Sequence, residues 1–169
     1  MNNDQSVLLR YEPIGNPLSS QVIDLIIPIQ QLEFKVPTNL AAQPDLLDID
    51  GYYRQSGGGF WGALDGQRQV VGTIALVLFQ KDAGAIRKMF VKKEFRGKEY
   101  GVARRLLEIL IGHCRQTGIK DLYLGTVEAM KAAHRFYEKN GFTQVDKQDL
   151  PASFPLMAVD NMFYHLSLE

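Results

Sequence analysis

A basic segment containing two glycines, residues 91–103, has the residue types and spacing of an anion-binding site. It lies between a predicted strand and a predicted long helix, and the first turn of a helix offers unpaired N–H donors with a partial positive charge behind them. Gly97 and Gly101 leave room for a ligand to approach the backbone, and Arg96 and Lys98 add formal charge. The segment therefore predicts a phosphate or pyrophosphate site, and a solvated basic turn is the alternative interpretation.

A second segment, residues 132–142, reads AAHRFYEKNGF and falls on the next predicted helix and strand. Together the two segments resemble the acetyl-CoA motifs of the GNAT superfamily of N-acetyltransferases, in which Arg/Gln-x-x-Gly-x-Gly/Ala is followed downstream by Ala-x-x-(Leu/Phe)-Tyr-Glu-Lys-x-Gly-Phe. Glu99 stands where the middle glycine of the first motif is usual, and Met130 replaces the usual asparagine three residues before the alanine of the second. By motifs and order of elements, the resemblance covers about residues 60–142.

The resemblance implies that acetyl-CoA is a cosubstrate. The sequence itself shows no cluster of metal-ligating residues, so no metal is expected. By the same resemblance, the pantetheine arm of acetyl-CoA would pair like an added strand with the backbone of the strand before the loop, and its pyrophosphate would meet the N–H groups of the loop. The cofactor-binding residues implied in this way are Met89, Val91, Arg96, Gly97, Lys98, Tyr100, Gly101 and Val102.

The reaction implied by the resemblance is attack of a primary amine on a thioester, which expels a thiolate. A thiolate with a pKa near 8.5 can take a proton from a phenol with a pKa near 10 that is held within hydrogen-bond reach. Tyr137 matches the tyrosine of the second motif, so the resemblance implies that Tyr137 is the general acid. Without the motif, Tyr137 reads as a core aromatic residue beside Phe136.

The incoming amine also needs a proton acceptor, because an amine with a pKa near 10.4 is neutral in only about one of a few thousand molecules at pH 7. Many family members carry a carboxylate on the strand before the loop, but residues 84–89 contain no acid. His134 and His165 fit packing or surface roles better than proton transfer. The remaining carboxylate candidates, each equally well explained as a surface or turn residue, are Glu33, Asp65, Glu128 and Asp160.

The elements that must position these residues follow the order helices, hairpin, strand, helix, strand, helix, strand, strand, with the turn of the hairpin near residue 65. This order predicts an α/β (α+β) fold with a mixed sheet. The resemblance implies a mostly antiparallel central sheet flanked by helices on both faces. Pro28 interrupts the first helix, where it should kink or split. The predicted helices are 18–34, a short one from about 44, 99–116 and 129–140; the predicted strands are 60–64, 70–79, 85–91, 121–127, 142–145 and 161–168.

Composition bounds the class of protein. A chain of 169 residues predicts a single domain, residues 1–169. Lys plus Arg and Asp plus Glu each number 19, and this zero net charge disfavours general nucleic-acid binding. The single cysteine, Cys114, favours a reducing cytoplasm, and residues 1–5 lack the start of a signal peptide. The longest apolar runs, such as residues 70–79, are well short of the roughly 20 residues of a membrane span, and the chain has no basic excess for an anionic membrane, so no membrane association is expected.

The expected acceptor is an amine of a small molecule or of a peptide. An apolar loop, residues 150–157, is expected to wall the acceptor pocket, to cover the sheet or to form the contact of a homodimer. The favoured hypothesis is an acetyl-CoA-dependent N-acetyltransferase. A non-catalytic acyl-CoA-binding module is the alternative, because the strand before the loop lacks an acid and Glu99 and Met130 depart from the motifs.

Overall fold

A computed structural model describes residues 8–169 and shows one seven-stranded sheet with helices on both faces. The strands are β1 (Arg10–Pro13), β2 (Gly59–Leu64), β3 (Val70–Gln80), β4 (Ala83–Val91), β5 (Asp121–Thr126), β6 (Thr143–Val145) and β7 (Met162–Ser167), and the helices are α1 (Ser19–Pro28), α2 (Val102–Thr117) and α3 (Lys131–Lys139). The spatial order is β1-β2-β3-β4-β5-β7-β6, and only β4 and β5 pair in parallel. The predicted mixed, mostly antiparallel sheet is confirmed.

The two faces of the sheet carry separate apolar cores because successive side chains of a strand point to opposite sides. Ile74 of β3 packs with Leu106 and Leu110 of α2, in a core that also includes residues of α3. The next residue, Ala75, packs on the other face with Ile26 of α1. The helices therefore fix the loop before α2 on one face and the N-terminal segments on the other.

The first helix is interrupted at Pro28, as the sequence predicted. The α-helix ends at Pro28, and the chain continues through one π-helical turn, Ile29–Glu33. The helix predicted from about residue 44 is wrong: the chain forms a 3-10 turn, Pro44–Leu47, and a π-helical turn, Asp50–Arg54. Gln43 and Asp48 flank the first of these turns with non-helical backbone angles, which prevents one continuous helix.

Other differences concern the ends of elements. Helix α2 begins at Val102 rather than at residue 99, because Gly101 has the left-handed conformation, with φ of 60°. The edge strand β1 was not predicted, since four residues with mixed burial carry no clear alternation. The expectation based on residues 1–5 lies outside the described residues. Within residues 8–169, no helix has both the length and the apolar character needed to span a bilayer.

The parallel pair β4 and β5 is joined over only part of its length. Ala83–Ile86 pairs with Asp121–Leu124, and no pairing continues beyond Ile86. Just past that point β4 contains a bulge at Lys88, which adopts φ of 52°, and Thr73 of β3 donates a hydrogen bond to the Lys88 carbonyl at 2.6 Å. The sheet therefore opens between β4 and β5, next to the loop that leads into α2.

Candidate active site

The loop before α2 presents backbone donors that the protein leaves free. Gly97 and Gly101 have φ of 116° and 60°, values that favour glycine, and they turn the chain sharply into the helix. Within the part of the chain that the structure describes, the N–H groups of 97–100 and 102–104 have no protein acceptor. Free N–H groups at a helix N-terminus form a suitable site for an anion. The local geometry thus agrees with the pyrophosphate site expected from the sequence.

The charged side chains around this loop differ in whether they are free to bind an anion. Arg96 donates two hydrogen bonds to the Glu33 carboxylate, at 2.5 and 2.8 Å, and one to the Val91 carbonyl at 2.8 Å, so its positive charge is neutralised within the protein. Arg96 thereby fastens the loop to the end of the π-helical turn that follows α1. The hydrogen bonds from Arg96 lower the pKa of Glu33.

Two lysines lie near each other at the edge of the loop, and within residues 8–169 neither forms an ion pair. Lys98 approaches Lys139 at the end of α3, and the positive charge of Lys98 lowers the pKa of the exposed Lys139. Tyr100 is partly exposed beside Phe95, with ring centroids 5.4 Å apart. The structure thus adds Lys139 to the candidate anion site. The sequence pattern did not single it out, because it belongs to the second motif and only the fold brings it to the loop.

Tyr137 of α3 places its hydroxyl in the opening between β4 and β5. The hydroxyl lies 3.4 Å from the Met89 sulfur, a weak hydrogen-bond acceptor. The ring packs against Phe142 and Tyr164, with centroids 5.5 and 5.8 Å away, and only 6% of the residue is exposed. Burial raises the pKa of Tyr137 well above 10, and the nearby negative charge of Asp160 raises it further. Tyr137 therefore stays protonated at neutral pH.

The four carboxylates left open by the sequence occupy very different environments. Glu33 is held by Arg96. Asp65 accepts hydrogen bonds from two N–H groups of its own hairpin turn, and Glu128 is an exposed residue near Lys131. Asp160 alone among the four lines the cleft at the opening of the sheet. The two histidines make structural contacts, His134 with the Val127 carbonyl and His165 with Asp121.

The position of Asp160 depends on Gly125 of β5. A β-carbon at Gly125 would collide with the Asp160 carboxylate, so the glycine makes room for the acid at the splayed end of the strand. Burial raises the pKa of Asp160 to about 6, although the positive charges of Arg87 and Lys88 lower it in part. Asp160 therefore has the pKa of a base that works near neutrality.

The cations of the cleft come from β4 itself. Lys88 is buried, hydrogen-bonds to Gln43, and lies 3.5 Å from the Asp45 carboxylate, which also accepts a hydrogen bond from Tyr53 at 2.5 Å. Burial lowers the pKa of Lys88. Arg87 is half-buried and donates to the carbonyl of Pro155. Sequence reasoning missed both cations, although adjacent basic residues in an apolar strand are a detectable signal.

The apolar loop, residues 150–157, both packs on the sheet and lines the cleft. Phe154 packs on the sheet with Ala85 and Phe163, which covers the face next to the N-terminal segments. Phe154, Pro155 and Met157 also line the cleft. The loop therefore covers the sheet, as one interpretation expected, and its role as a wall of the acceptor pocket stays a prediction. The remaining wall comes from the N-terminal half, through Gln30, Val36, Thr38 and Gln43.

Comparisons with known proteins agree with this geometry. The chain is 35% identical over 108 residues to N-acetylaspartate synthetase of Xenopus tropicalis, and the match covers 62% of this chain but only 38% of that relative. A solved acetyltransferase of the GNAT family from Staphylococcus aureus MU50 superposes with a TM-score of 0.92 at 35% identity, over 95% of this chain and 99% of that one.

A more distant structure shows the same fold. N-acetylglutamate synthase from Neisseria gonorrhoeae, solved with coenzyme A and N-acetyl-glutamate, superposes with a TM-score of 0.73 at 15% identity, over 98% of this chain and 36% of that one. Finally, the sequence model of the Acetyltransferase (GNAT) family matches residues 24–142, a span that includes the loop before α2 and Tyr137. Because that match extends over more than half of the sequence, this chain belongs to the GNAT family of acetyltransferases.

Proposed function

We propose that the protein is an acetyl-CoA-dependent N-acetyltransferase that acts on a primary amine. The observation that carries this proposal is the position of the Tyr137 hydroxyl in the opening between β4 and β5, beside a loop with unsatisfied N–H donors. Acetyl-CoA supplies an activated acetyl group as a thioester. We place the reaction in the reducing cytoplasm, in keeping with the single, buried, unpaired thiol of Cys114.

In this proposal the splayed strand and the loop bind the cofactor. The backbone of β4 at Met89 and Val91 pairs with the pantetheine arm as with an added strand, since β5 does not pair with this part of β4. The free N–H groups of residues 97–100 and of Val102 bind the pyrophosphate, and Lys98 and Lys139 add positive charge beside it. Arg96 contributes by holding the loop in place through Glu33.

Asp160 removes a proton from the amine, and Tyr137 supplies a proton to the leaving thiolate. As the amine nitrogen bonds to the acetyl carbon, Asp160 accepts a proton from that nitrogen, and as the carbon–sulfur bond breaks, the Tyr137 hydroxyl donates a proton to the departing sulfur. A pKa of about 6 keeps Asp160 mostly ionised at pH 7. Burial raises the pKa of Tyr137, and it also raises the pKa of a thiol in the same site. The difference between the two pKa values, which sets the cost of proton transfer from Tyr137 to the sulfur, is therefore smaller than the raised pKa of Tyr137 taken alone would suggest.

The test combines cofactor binding with turnover. Acetyl-CoA is titrated calorimetrically into the wild type, Tyr137→Phe and the exposed control Tyr52→Phe, and thiol release is then followed with a panel of primary amines and amino acids. We expect all three proteins to bind acetyl-CoA and Tyr137→Phe alone to lose roughly 10²–10⁴-fold in rate.

Each other outcome has a definite meaning. Wild-type turnover in Tyr137→Phe removes that residue from the chemistry. Cofactor binding by the wild type without thiol release across the whole panel supports the non-catalytic acyl-CoA-binding module, and absence of binding to the folded protein refutes both functions.

A further inference from the structure

Two opposite charges in the cleft face the same space without pairing with each other. Arg87 and Asp160 both line the cleft, and within residues 8–169 neither has an oppositely charged side chain within 4.0 Å. They are nevertheless close enough for the charge of Arg87 to influence Asp160. The cleft therefore holds a separated positive and negative charge.

The positive end of this arrangement is built into the fold. Arg87 comes immediately before the bulge in β4, and its contact with the Pro155 carbonyl orients the guanidinium against the apolar loop. A guanidinium has five N–H donors, so this single contact leaves others for a ligand. The neighbouring Lys88 is already paired with Asp45, which leaves Arg87 as the cation available to an acceptor molecule.

We propose that the acceptor is an amine that also carries a carboxylate, of the α-amino acid class, with its carboxylate on Arg87 and its amine facing Asp160. This inference rests on the proposed function and narrows its substrate. A molecule with both groups matches the separated charges of the cleft, whereas a polyamine places positive charge against Arg87. The relative from Xenopus tropicalis is named for such a product, since N-acetylaspartate is an acetylated amino acid.

The experiment compares acceptors that differ only in the carboxylate. Free L-amino acids are tested beside their amides and their decarboxylated amines, for example L-leucine, L-leucinamide and isoamylamine, with thiol release as the readout. The wild type is compared with Arg87→Gln, with the charge-retaining Arg87→Lys and with the control Arg115→Gln, which alters an exposed arginine near the end of α2.

We expect the wild type to use free amino acids with a kcat/KM about 10- to 100-fold above that of the matched amides and amines, the range expected for a charge-assisted contact. Arg87→Gln should remove most of this preference by raising KM for the free acids, Arg87→Lys should restore part of it, and Arg115→Gln should keep it. Acetyl-CoA affinity should be the same in all four proteins.

Two results overturn the inference while leaving the proposed function intact. The first is an equal kcat/KM of the wild type for free amino acids and for their amides. The second is a loss of kcat/KM in Arg87→Gln that is equally large for the free amino acids and for the amides. Absence of acetyl-CoA binding in the wild type is a different result, because it refutes the proposed function itself.

Discussion

Replacement of Asp160 by asparagine should make the protein more stable above neutral pH and slower as an enzyme. In the folded chain, burial raises the pKa of Asp160 from 3.8 to about 6. A carboxyl group with a raised pKa binds its proton more tightly in the folded than in the unfolded state. Its favourable contribution is therefore complete below pH 3.8 and is lost as the pH rises through about 6.

The size of the effect follows from the two pKa values. At about 1.4 kcal/mol for each pKa unit, ionised Asp160 lowers the free energy of unfolding by about 3 kcal/mol above pH 7, relative to its protonated form. Asparagine has no charge to bury, so Asp160→Asn should gain up to this amount over the wild type between pH 4 and pH 8. For a chain of this size the gain corresponds to about 6–12 °C in melting temperature.

The assay is thermal unfolding of both proteins from pH 4 to pH 8, with Asp24→Asn as a matched control on the exposed side of α1. The control should follow the wild type at every pH. In parallel, kcat/KM of the wild type should rise with pH through about 6, and Asp160→Asn should lose this dependence together with about 10²–10⁴-fold in rate. Melting curves of Asp160→Asn that run parallel to those of the wild type across this range would refute the assigned burial of the charge, and an unchanged rate profile would refute its role as base.

Two further predictions concern the loop before α2. Glu99→Gln should bind acetyl-CoA about two- to fivefold more tightly at low salt, because the exposed Glu99 carboxylate folds over Gly97 beside the free N–H groups, and an acid there opposes an anionic ligand. Calorimetry with Glu94→Gln as control measures this, and unchanged affinity would contradict it. In a double-mutant cycle, Arg96→Met and Glu33→Gln should show a coupling of up to about 1 kcal/mol in unfolding free energy, the upper range for a pair about one-third exposed. Both single variants should weaken acetyl-CoA binding to a similar degree if Arg96 acts by holding the loop; weaker binding in the Arg96 variant alone would assign it a direct contact with the pyrophosphate.

Several parts of the site are local properties that the sequence determined by itself. Gly97 and Gly101 adopt positive φ because the chain must turn into α2 there, and the glycines mark that turn in the sequence. Tyr137 lies on a helix that ends with Asn140 and Gly141, a pair that predicts the helix end directly. Periodic apolar residues likewise predicted α2 and the long strands of the sheet, because the patterns extend over many residues.

The tertiary structure alone decided which of the four candidate carboxylates lies in the cleft. Glu33, Asp65, Glu128 and Asp160 are equivalent as residue types, and their environments differ only once the sheet opens at Gly125 and the loop after β6 folds back over it. The pKa of an acid depends on burial and on nearby charges, which come from residues distant in sequence.

The same reasoning applies to the cations of β4. Arg87 and Lys88 are adjacent in a strand, where regular alternation would send them to opposite faces, and the bulge at Lys88 changes that alternation. Whether each cation is paired depends on Asp45 from the N-terminal half and on the loop that carries Pro155. Chain patterns specify the elements and the glycine-containing turn into α2. The cleft that holds Arg87 and Asp160 is assembled from segments far apart in sequence, so its charges are defined only when those segments pack together.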